Sequence, residues 1–101
     1  MLAEIYYQDF ELNATNFSDK MIVDQDKAIF IVRFSFDSNR GSQDKFCDKC
    51  YDYMNNLCVP KGHRDRPLFE KADHTSMSIG DYIQFENGEI WVCARSGWEI
   101  I

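Results

Sequence analysis

The clearest alternation along the chain lies in the nine residues from Ala28 to Phe36. Successive side chains of a β-strand point to opposite faces of its sheet, so residues two positions apart share a face. One face would carry Ala28, Phe30, Val32, Phe34 and Phe36, and the other Ile29, Ile31, Arg33 and Ser35. The pattern predicts a strand at the centre of a sheet.

Two shorter apolar stretches precede this strand. Residues Leu2 to Phe10 are rich in Ile and Tyr and predict a first strand. Met21-Ile22-Val23 is separated from the strand at 28–36 by the polar residues Asp24 to Lys27. That spacing predicts a short hairpin partner for the later strand.

Apolar residues recur at helical spacing from Ser42 to Leu57. Ser42 is suited to cap the start of the helix. Asp44 lies in the first turn, where the helix dipole stabilises its negative charge. The apolar stripe consists of Phe46, Cys50, Tyr53, Met54 and Leu57, with Cys47 and Cys58 beside it. The stripe predicts a helix that packs against a sheet.

Asn87-Gly88 is the strongest hairpin signal, because both residues readily adopt the positive φ that a type I′ turn needs. A two-residue turn joins strands at 82–86 and 89–94. It sets Ile83 and Phe85 opposite Val92 and Ile90 on one face, and Tyr82 and Gln84 opposite Cys93 and Trp91 on the other. After Gly97, we expect Trp98, Ile100 and Ile101 to pack or pair at the end of the sheet.

Residues 59–77 read as an irregular loop, because Pro60, Gly62 and Pro67 prevent regular structure. The loop contains a basic run from Lys61 to Arg66. Together these patterns predict an α+β fold, in which a small antiparallel sheet packs against one main helix. We expect residues 1–101 to form a single domain.

Composition and charge disfavour several classes of function. The 101 residues are 45% hydrophobic, which is enough for one core and disfavours disorder. A net charge of -6 argues against broad binding of nucleic acids or anionic membranes and favours a basic partner. Met1 to Phe10 has neither a basic start nor a continuous apolar run, and no stretch is long enough to span a membrane. We therefore expect a cytoplasmic location with reduced cysteines.

Cys47-Asp48-Lys49-Cys50, followed by Cys58 and His63, offers four zinc ligands of suitable chemistry. The spacing is not that of a standard zinc finger, and the first pair also fits the apolar stripe as small core residues. The core interpretation is favoured, and zinc is the alternative; otherwise no cofactor is expected. No flanking signature marks a cysteine nucleophile, and no phosphate-binding loop or serine elbow is visible, so the chain is not expected to be an enzyme.

Ser76-Met77-Ser78-Ile79-Gly80-Asp81 precedes the hairpin. Gly80 permits a tight turn, Asp81 or the serine hydroxyls can bond the backbone of that turn, and Ile79 is expected to enter the core. We favour a turn that defines the fold over a binding site.

This motif, the hairpin ending at Cys93, and Ser96-Gly97-Trp98 together resemble a C-terminal signature of short phage, plasmid and bacterial mobile-element proteins. The usual pattern is Ser-x-Ser-Val-Gly-Asp, a hairpin, and Gly-Phe or Gly-Trp. Asn55-Asn56-Leu57 and Arg66-Pro67 fit the upstream order. Most such proteins have no assigned activity, so the resemblance implies a mobile-element origin and an α+β fold.

With the hairpin register above, Tyr82, Gln84 and Trp91 would lie on the outer face of the hairpin. Such aromatic residues need a cover, and another segment of the chain is favoured over a second copy or a partner. Tyr82 and Trp91, with Arg64 and Arg66 of the basic loop, are the expected partner contacts.

The sequence therefore predicts a non-catalytic accessory protein that occludes a bacterial host protein, such as a restriction or CRISPR nuclease. The alternative is a small zinc- or nucleotide-binding regulator that uses the cysteines and His63, or the turn at 76–81. A homodimer also stays open.

Overall fold

A computed structural model of the chain describes residues 1–16, 20–37, 41–56, 72 and 76–101. Five strands form a single antiparallel sheet: β1 (Leu2–Tyr7), β2 (Ile29–Ser35), β3 (Tyr82–Phe85), β4 (Ile90–Cys93) and β5 (Trp98–Ile100). A 3-10 turn (Phe10–Asn13) follows β1, so the first strand is three residues shorter than predicted. Within the described residues the α-helix is α1 (Gln43–Asn56). The predicted α+β class is confirmed.

The strand order is β2-β1-β3-β4-β5, and β5 at the chain end confirms the expected pairing there. Glu4 of β1 is opposite Arg33 of β2 on one side and Gln84 of β3 on the other. Among the described strands β2 lies at an edge of the sheet, and the prediction that it is central is wrong. Strand β1 lies inside the sheet, between β2 and β3. Its Ala3 and Ile5 are fully buried, whereas Arg33 on β2 is exposed.

An extra residue interrupts the pairing of β1 with β2. Ile5 is opposite Val32, but Tyr6 is opposite Phe30, so Ile31 has no opposite residue. Such a β-bulge shifts the alternation of side chains by one position. The single apolar face predicted for this strand is therefore wrong, because Phe30 lies on the opposite face from Val32.

Helix α1 packs on one side of the sheet, which we call the helix face; the opposite side is the far face. The core on the helix face includes Ala3, Ile5, Ile83 and Phe85 of the sheet and Cys47, Cys50 and Met54 of α1. Tyr53, predicted in the buried stripe, is mostly exposed.

The helix begins where the sequence predicts. The Ser42 carbonyl accepts the Phe46 N–H at 3.1 Å, which makes Ser42 the residue that caps the helix. The Asp44 carboxylate accepts a hydrogen bond from the Ser42 hydroxyl, and this bond holds the pKa of Asp44 below its usual value. Leu57, the predicted end, lies outside the described residues.

The loop between β3 and β4 has three residues, Glu86, Asn87 and Gly88, not two. The Phe85 N–H donates to the Glu89 carbonyl at 2.8 Å, and the Gly88 N–H donates to the Phe85 carbonyl at 2.9 Å. Gly88 has a φ of 96°, but Asn87 has no positive φ, so the turn is not type I′. This geometry is the three-residue loop built from a type I turn followed by a bulge at glycine.

The longer loop moves the hairpin register by one residue. Tyr82 is opposite Val92, and Ile83 is opposite Trp91. The predicted register is wrong, and every side chain of β4 consequently lies on the other face from the one predicted.

Candidate partner-binding surface

The two aromatic residues predicted to contact a partner lie on opposite faces of the sheet. Tyr82 is on the far face and is 1% exposed. Trp91 is half-buried on the helix face, with its ring centroid 6.2 Å from that of Phe85. The prediction that Tyr82 and Trp91 lie on the same outer face of the hairpin is therefore wrong, because it rested on the two-residue turn.

Four of the predicted site residues lie outside the described part of the chain: Cys58, His63, Arg64 and Arg66. For this reason, the partner contacts at Arg64 and Arg66 and the zinc ligands Cys58 and His63 stay predictions.

The turn before β3 is built around a buried carboxylate. Asp81 is 1% exposed; its Oδ1 accepts the Gln8 N–H at 2.7 Å, and its Oδ2 accepts the Ser78 N–H at 2.8 Å. The Gly80 N–H donates to the Cys93 carbonyl at 2.9 Å. The turn thus ties the start of β3 to the ends of β1 and β4, a structural role for the motif.

Gly80 fits this turn because it has a φ of 96° and no Cβ. A Cβ at this position would lie 2.6 Å from Nδ2 of Asn13, closer than real Cβ contacts. Ile79, which was expected to enter the core, is exposed, and Met77 is buried in its place. Ser76 is exposed.

Cys47, Cys50 and Cys93 are buried thiols. Burial raises the pKa of Cys50 to about 12 and that of Cys93 to about 11, and it raises the pKa of Cys47 further. A thiol must lose its proton to act as a nucleophile or to bind zinc, so these three thiols suit an apolar core. Within the described residues no three potential metal ligands form a group, and a site that includes Cys58 and His63 stays a prediction.

Two side-chain amides hold residues 21–24 against the rest of the molecule. Gln8 accepts the Asp24 N–H at 2.7 Å and donates to the Asp24 carbonyl at 3.0 Å. Asn13 accepts the Ile22 N–H at 2.9 Å and donates to the Ile22 carbonyl at 3.1 Å. The backbone of this segment is bonded by side chains instead of a strand, so the predicted hairpin partner at 21–23 is wrong.

Residues 21–28, which we call the covering segment, cover part of the far face. The Met21 N–H donates to Oε2 of Glu99 at 2.9 Å, which fixes the start of the segment over β5. The apolar contacts involve Met21, Val23 and Ala28 of the segment and Tyr82, Ile90 and Val92 of the sheet. The far face is therefore closed by the chain itself over β3 and β4.

Within the part of the chain that the structure describes, no segment covers the far face over β1 and β2. We call this area the open patch, and it consists of Leu2, Glu4, Tyr6, Phe30 and Arg33. Leu2 is 44% exposed and Phe30 is 47% exposed, so two large apolar side chains face solvent.

Contacts within the open patch hold its side chains in place. Arg33 donates from Nε and Nη2 to Oε2 of Glu4, at 3.1 and 2.8 Å, and its Cζ lies 5.9 Å from the centre of the Phe30 ring. The Tyr6 ring stacks on Tyr82 at 5.1 Å and meets Phe30 edge-on at 5.7 Å. A surface with ordered aromatic and arginine side chains loses little side-chain entropy on binding.

The surroundings of the open patch are acidic. Asp24 and Asp26 lie on the covering segment with Lys27, and Oε1 of Glu86 accepts the Leu2 N–H at 2.7 Å. Acids outnumber bases here, so the local charge favours a basic partner.

A cleft between α1 and the β4–β5 end of the sheet is a second concave surface. Its volume is ≈ 330 Å³, and Tyr51 and Trp98 form its aromatic walls. The polar groups at its rim are engaged within the chain: Trp98 Nε1 donates to Asp48 at 2.8 Å, and the Arg95 guanidinium donates to the Asn16 carbonyl. The open patch combines greater apolar exposure with a defined charge, and it is the better candidate.

Sequence reasoning did not select Glu4, Phe30 or Arg33 as site residues. One signal was present: Glu4 and Arg33 are the charged residues within two otherwise apolar strands. Their pairing could not be inferred without the register of β1 against β2.

Comparison of the chain with protein-family models, curated proteins and solved structures gives no match. In the part of the chain that the structure describes, no helix is long and apolar enough to cross a membrane.

Proposed function

We propose that this protein is a non-catalytic binding protein whose open patch covers part of another protein. One observation carries the proposal. Phe30 is 47% exposed beside an ordered ion pair, while the adjoining area of the same sheet face is closed by residues 21–28. An antiparallel sheet can leave one face to solvent, but that face is then usually polar, and here it carries Leu2, Tyr6 and Phe30.

The residue types in the open patch are those that contribute most to protein interfaces. Tyrosine and arginine are enriched among residues whose truncation weakens binding, and Phe30 adds a large apolar surface. Covering the exposed half of a phenylalanine removes on the order of 100 Å² from water, which is worth about 2 to 3 kcal/mol.

The partner in this proposal is a bacterial host protein with a basic surface. The motif at 76–81 and 96–98 supports a phage or plasmid origin through its resemblance to mobile-element proteins. The net charge of -6 supports attraction to a basic surface. Nucleases of host defence, of the restriction or CRISPR type, have such surfaces because they bind nucleic acid, and they are the first class to test. The proposed place of action is the bacterial cytoplasm.

The test is capture of host proteins by three immobilised versions of the chain. Wild type, Phe30→Glu and Ile79→Glu are exposed to bacterial lysate, and retained proteins are identified by mass spectrometry. Ile79 is a matched control because it is 41% exposed, close to the 47% of Phe30, and lies outside the open patch. Each retained protein is then purified and its affinity measured directly.

We expect one protein to bind wild type and Ile79→Glu equally and to bind Phe30→Glu at least about tenfold more weakly, since burying an unpaired charge costs more than 1.4 kcal/mol. Equal binding of the purified protein to all three versions would show that the open patch is not the interface. A retained nuclease that stays fully active when saturated with the chain would contradict the inhibitory role.

A further inference from the structure

Among the described residues, β2 and β5 form the two edges of the sheet, and the two edges differ in length. Strand β2 has seven residues, whereas β5 has only three. Proteins protect sheet edges from further pairing with short strands, charged side chains, bulges or a covering segment. The length of β5 protects it, so β2 is the edge that can accept another strand.

The hydrogen bonds at the end of β2 show which backbone groups face this edge. The Phe36 N–H donates to the Met1 carbonyl at 2.7 Å, and the Met1 ammonium donates to the Phe36 carbonyl at 3.1 Å. In an antiparallel pair, alternate residues turn their backbone groups toward the neighbouring strand. Phe34 therefore faces β1, and Arg33 and Ser35 turn their N–H and C=O groups toward the free edge.

Apolar side chains flank the edge on both sides of the sheet. Phe30 is exposed on the far face. On the helix face, the Tyr53 ring meets Phe34 edge-on at 5.6 Å, and Tyr53 is 53% exposed. Side chains of an added strand point alternately to both faces, so both would find apolar contacts.

The protecting features of β2 leave the half that ends at Ser35 accessible. The bulge at Ile31 distorts the other half of the strand. Arg33 would repel a basic strand, but its charge is neutralised by Glu4 at 2.8 Å. Charges of both signs lie at the ends of the strand: Asp26 and Lys27 precede it, and Lys45 and Lys49 of α1 lie beside Ser35 and Asp37 at its other end. The attraction for a basic segment therefore comes from the net charge of -6 of the whole chain.

We propose that β2 accepts an extended basic segment of the partner protein as a sixth strand of the sheet. The inference rests on the proposed function and specifies how the partner attaches. Main-chain hydrogen bonds form at Arg33 and Ser35, apolar side chains of the segment contact Phe30 and Tyr53, and its lysine or arginine residues are attracted by the net charge of -6. A second copy of this chain is disfavoured as the added strand, because each copy carries a net charge of -6.

The test selects binders of the full chain from a displayed library of random ten-residue peptides. We expect the selected peptides to be basic and to carry apolar residues at neighbouring positions, whose side chains reach Phe30 and Tyr53 on opposite faces of the sheet. The matched variants are Ser35→Pro and Ser35→Ala. Proline removes the N–H that faces the free edge, and since that N–H does not bond β1, the existing sheet is retained. We expect peptide affinity to fall at least about tenfold in Ser35→Pro, for loss of a main-chain bond and for the bulk of the ring, and to be unchanged in Ser35→Ala.

A second measurement covers the case in which Ser35→Pro fails to fold, which circular dichroism would reveal. Peptide added to wild type should shift the amide resonances of Arg33 and Ser35, and shifts confined to other elements would overturn the proposal. Selection of no peptide, or equal binding to both Ser35 variants when both fold, would also overturn it. Dimerisation that is lost in Ser35→Pro would assign the edge to a second copy and overturn the partner segment.

The two proposals fail in different ways. If the captured host protein is lost in Phe30→Glu but binds Ser35→Pro as well as wild type, strand addition is wrong and the proposed function stands. If neither variant weakens capture, both proposals are wrong.

Discussion

Several buried polar side chains of this small domain each bond backbone that belongs to a distant part of the chain. Asp81 bonds the N–H of Gln8, and Asn13 bonds both backbone groups of Ile22. Loss of such an acceptor leaves a buried N–H without a partner, which costs about 1 to 3 kcal/mol. The fold therefore depends on these few polar residues as well as on its apolar core.

Gly80 allows a direct test of one close approach. Gly80 and Gly88 share a φ of 96°, but only a Cβ at Gly80 meets a neighbour, Nδ2 of Asn13 at 2.6 Å. Alanine at either position lowers the free energy of unfolding by about 1 kcal/mol because of the unfavourable φ. We expect Gly80→Ala to lose about 1 to 3 kcal/mol more than Gly88→Ala, because Asn13 must move away from Ile22. Urea unfolding of both variants measures the difference, and equal losses would contradict this account of the turn.

At the scale of elements, local patterns predicted where strands and the helix lie. The positions of β3, β4 and α1 agree with the predicted ones to within one residue at the described ends, because side-chain periodicity depends only on neighbours in sequence. The hairpin register was wrong because Asn87-Gly88 fits both a two-residue and a three-residue loop. The sign of φ at Asn87 distinguishes the two loops, and sequence does not reveal it.

Other errors came from contacts between distant residues. The apolar residues 21–23 resemble a strand, but their backbone bonds the side chains of Gln8 and Asn13. Similarly, the edge position of β2 depends on β1 lying between β2 and β3. The open patch can be recognised only when the bonding of residues 21–23 and the edge position of β2 are both known. For this reason the sequence pointed to Tyr82 and Trp91 instead of Phe30 and Arg33.

The role of Asn13 in holding the covering segment can be tested by Asn13→Ala. Both backbone groups of Ile22 lose their partner, so we expect a loss of about 1 to 3 kcal/mol and faster amide exchange at Ile22. Asn87→Ala is the control, since the Asn87 side chain bonds Glu89 in an exposed turn. Its cost should stay below about 1 kcal/mol. Unchanged exchange at Ile22 in Asn13→Ala would show that other contacts hold the segment.

For the molecule as a whole, the buried thiols and Tyr82 make the free energy of unfolding depend on pH in the alkaline range. The pKa of Cys50 is raised from 9.0 to about 12 and that of Cys93 from 9.0 to about 11, both by burial. Burial also raises the pKa of Tyr82 from 10.0 to about 12. From about pH 9 the unfolded chain releases protons that the folded chain keeps, so deprotonation favours unfolding.

We expect the free energy of unfolding to be constant near pH 8 and to fall by about 1 kcal/mol per buried thiol by pH 10. The fall should continue until the pH reaches the folded-state pKa values of about 11 to 12. Urea unfolding at successive pH values measures it. Cys50→Ala should be less stable at pH 8 but should lose less stability between pH 8 and 10. Stability that stays constant or rises up to pH 10 would show that the thiols are accessible to water.

The location of the partner on the whole molecule is best tested by amide hydrogen exchange of the chain, alone and saturated with the host protein that wild type captures. We expect slower exchange in β1 and β2, with Arg33 and Ser35 most affected and the cleft beside Tyr51 and Trp98 unchanged. Protection confined to α1 and that cleft, with β2 exchanging as in the free protein, would contradict binding through the open patch.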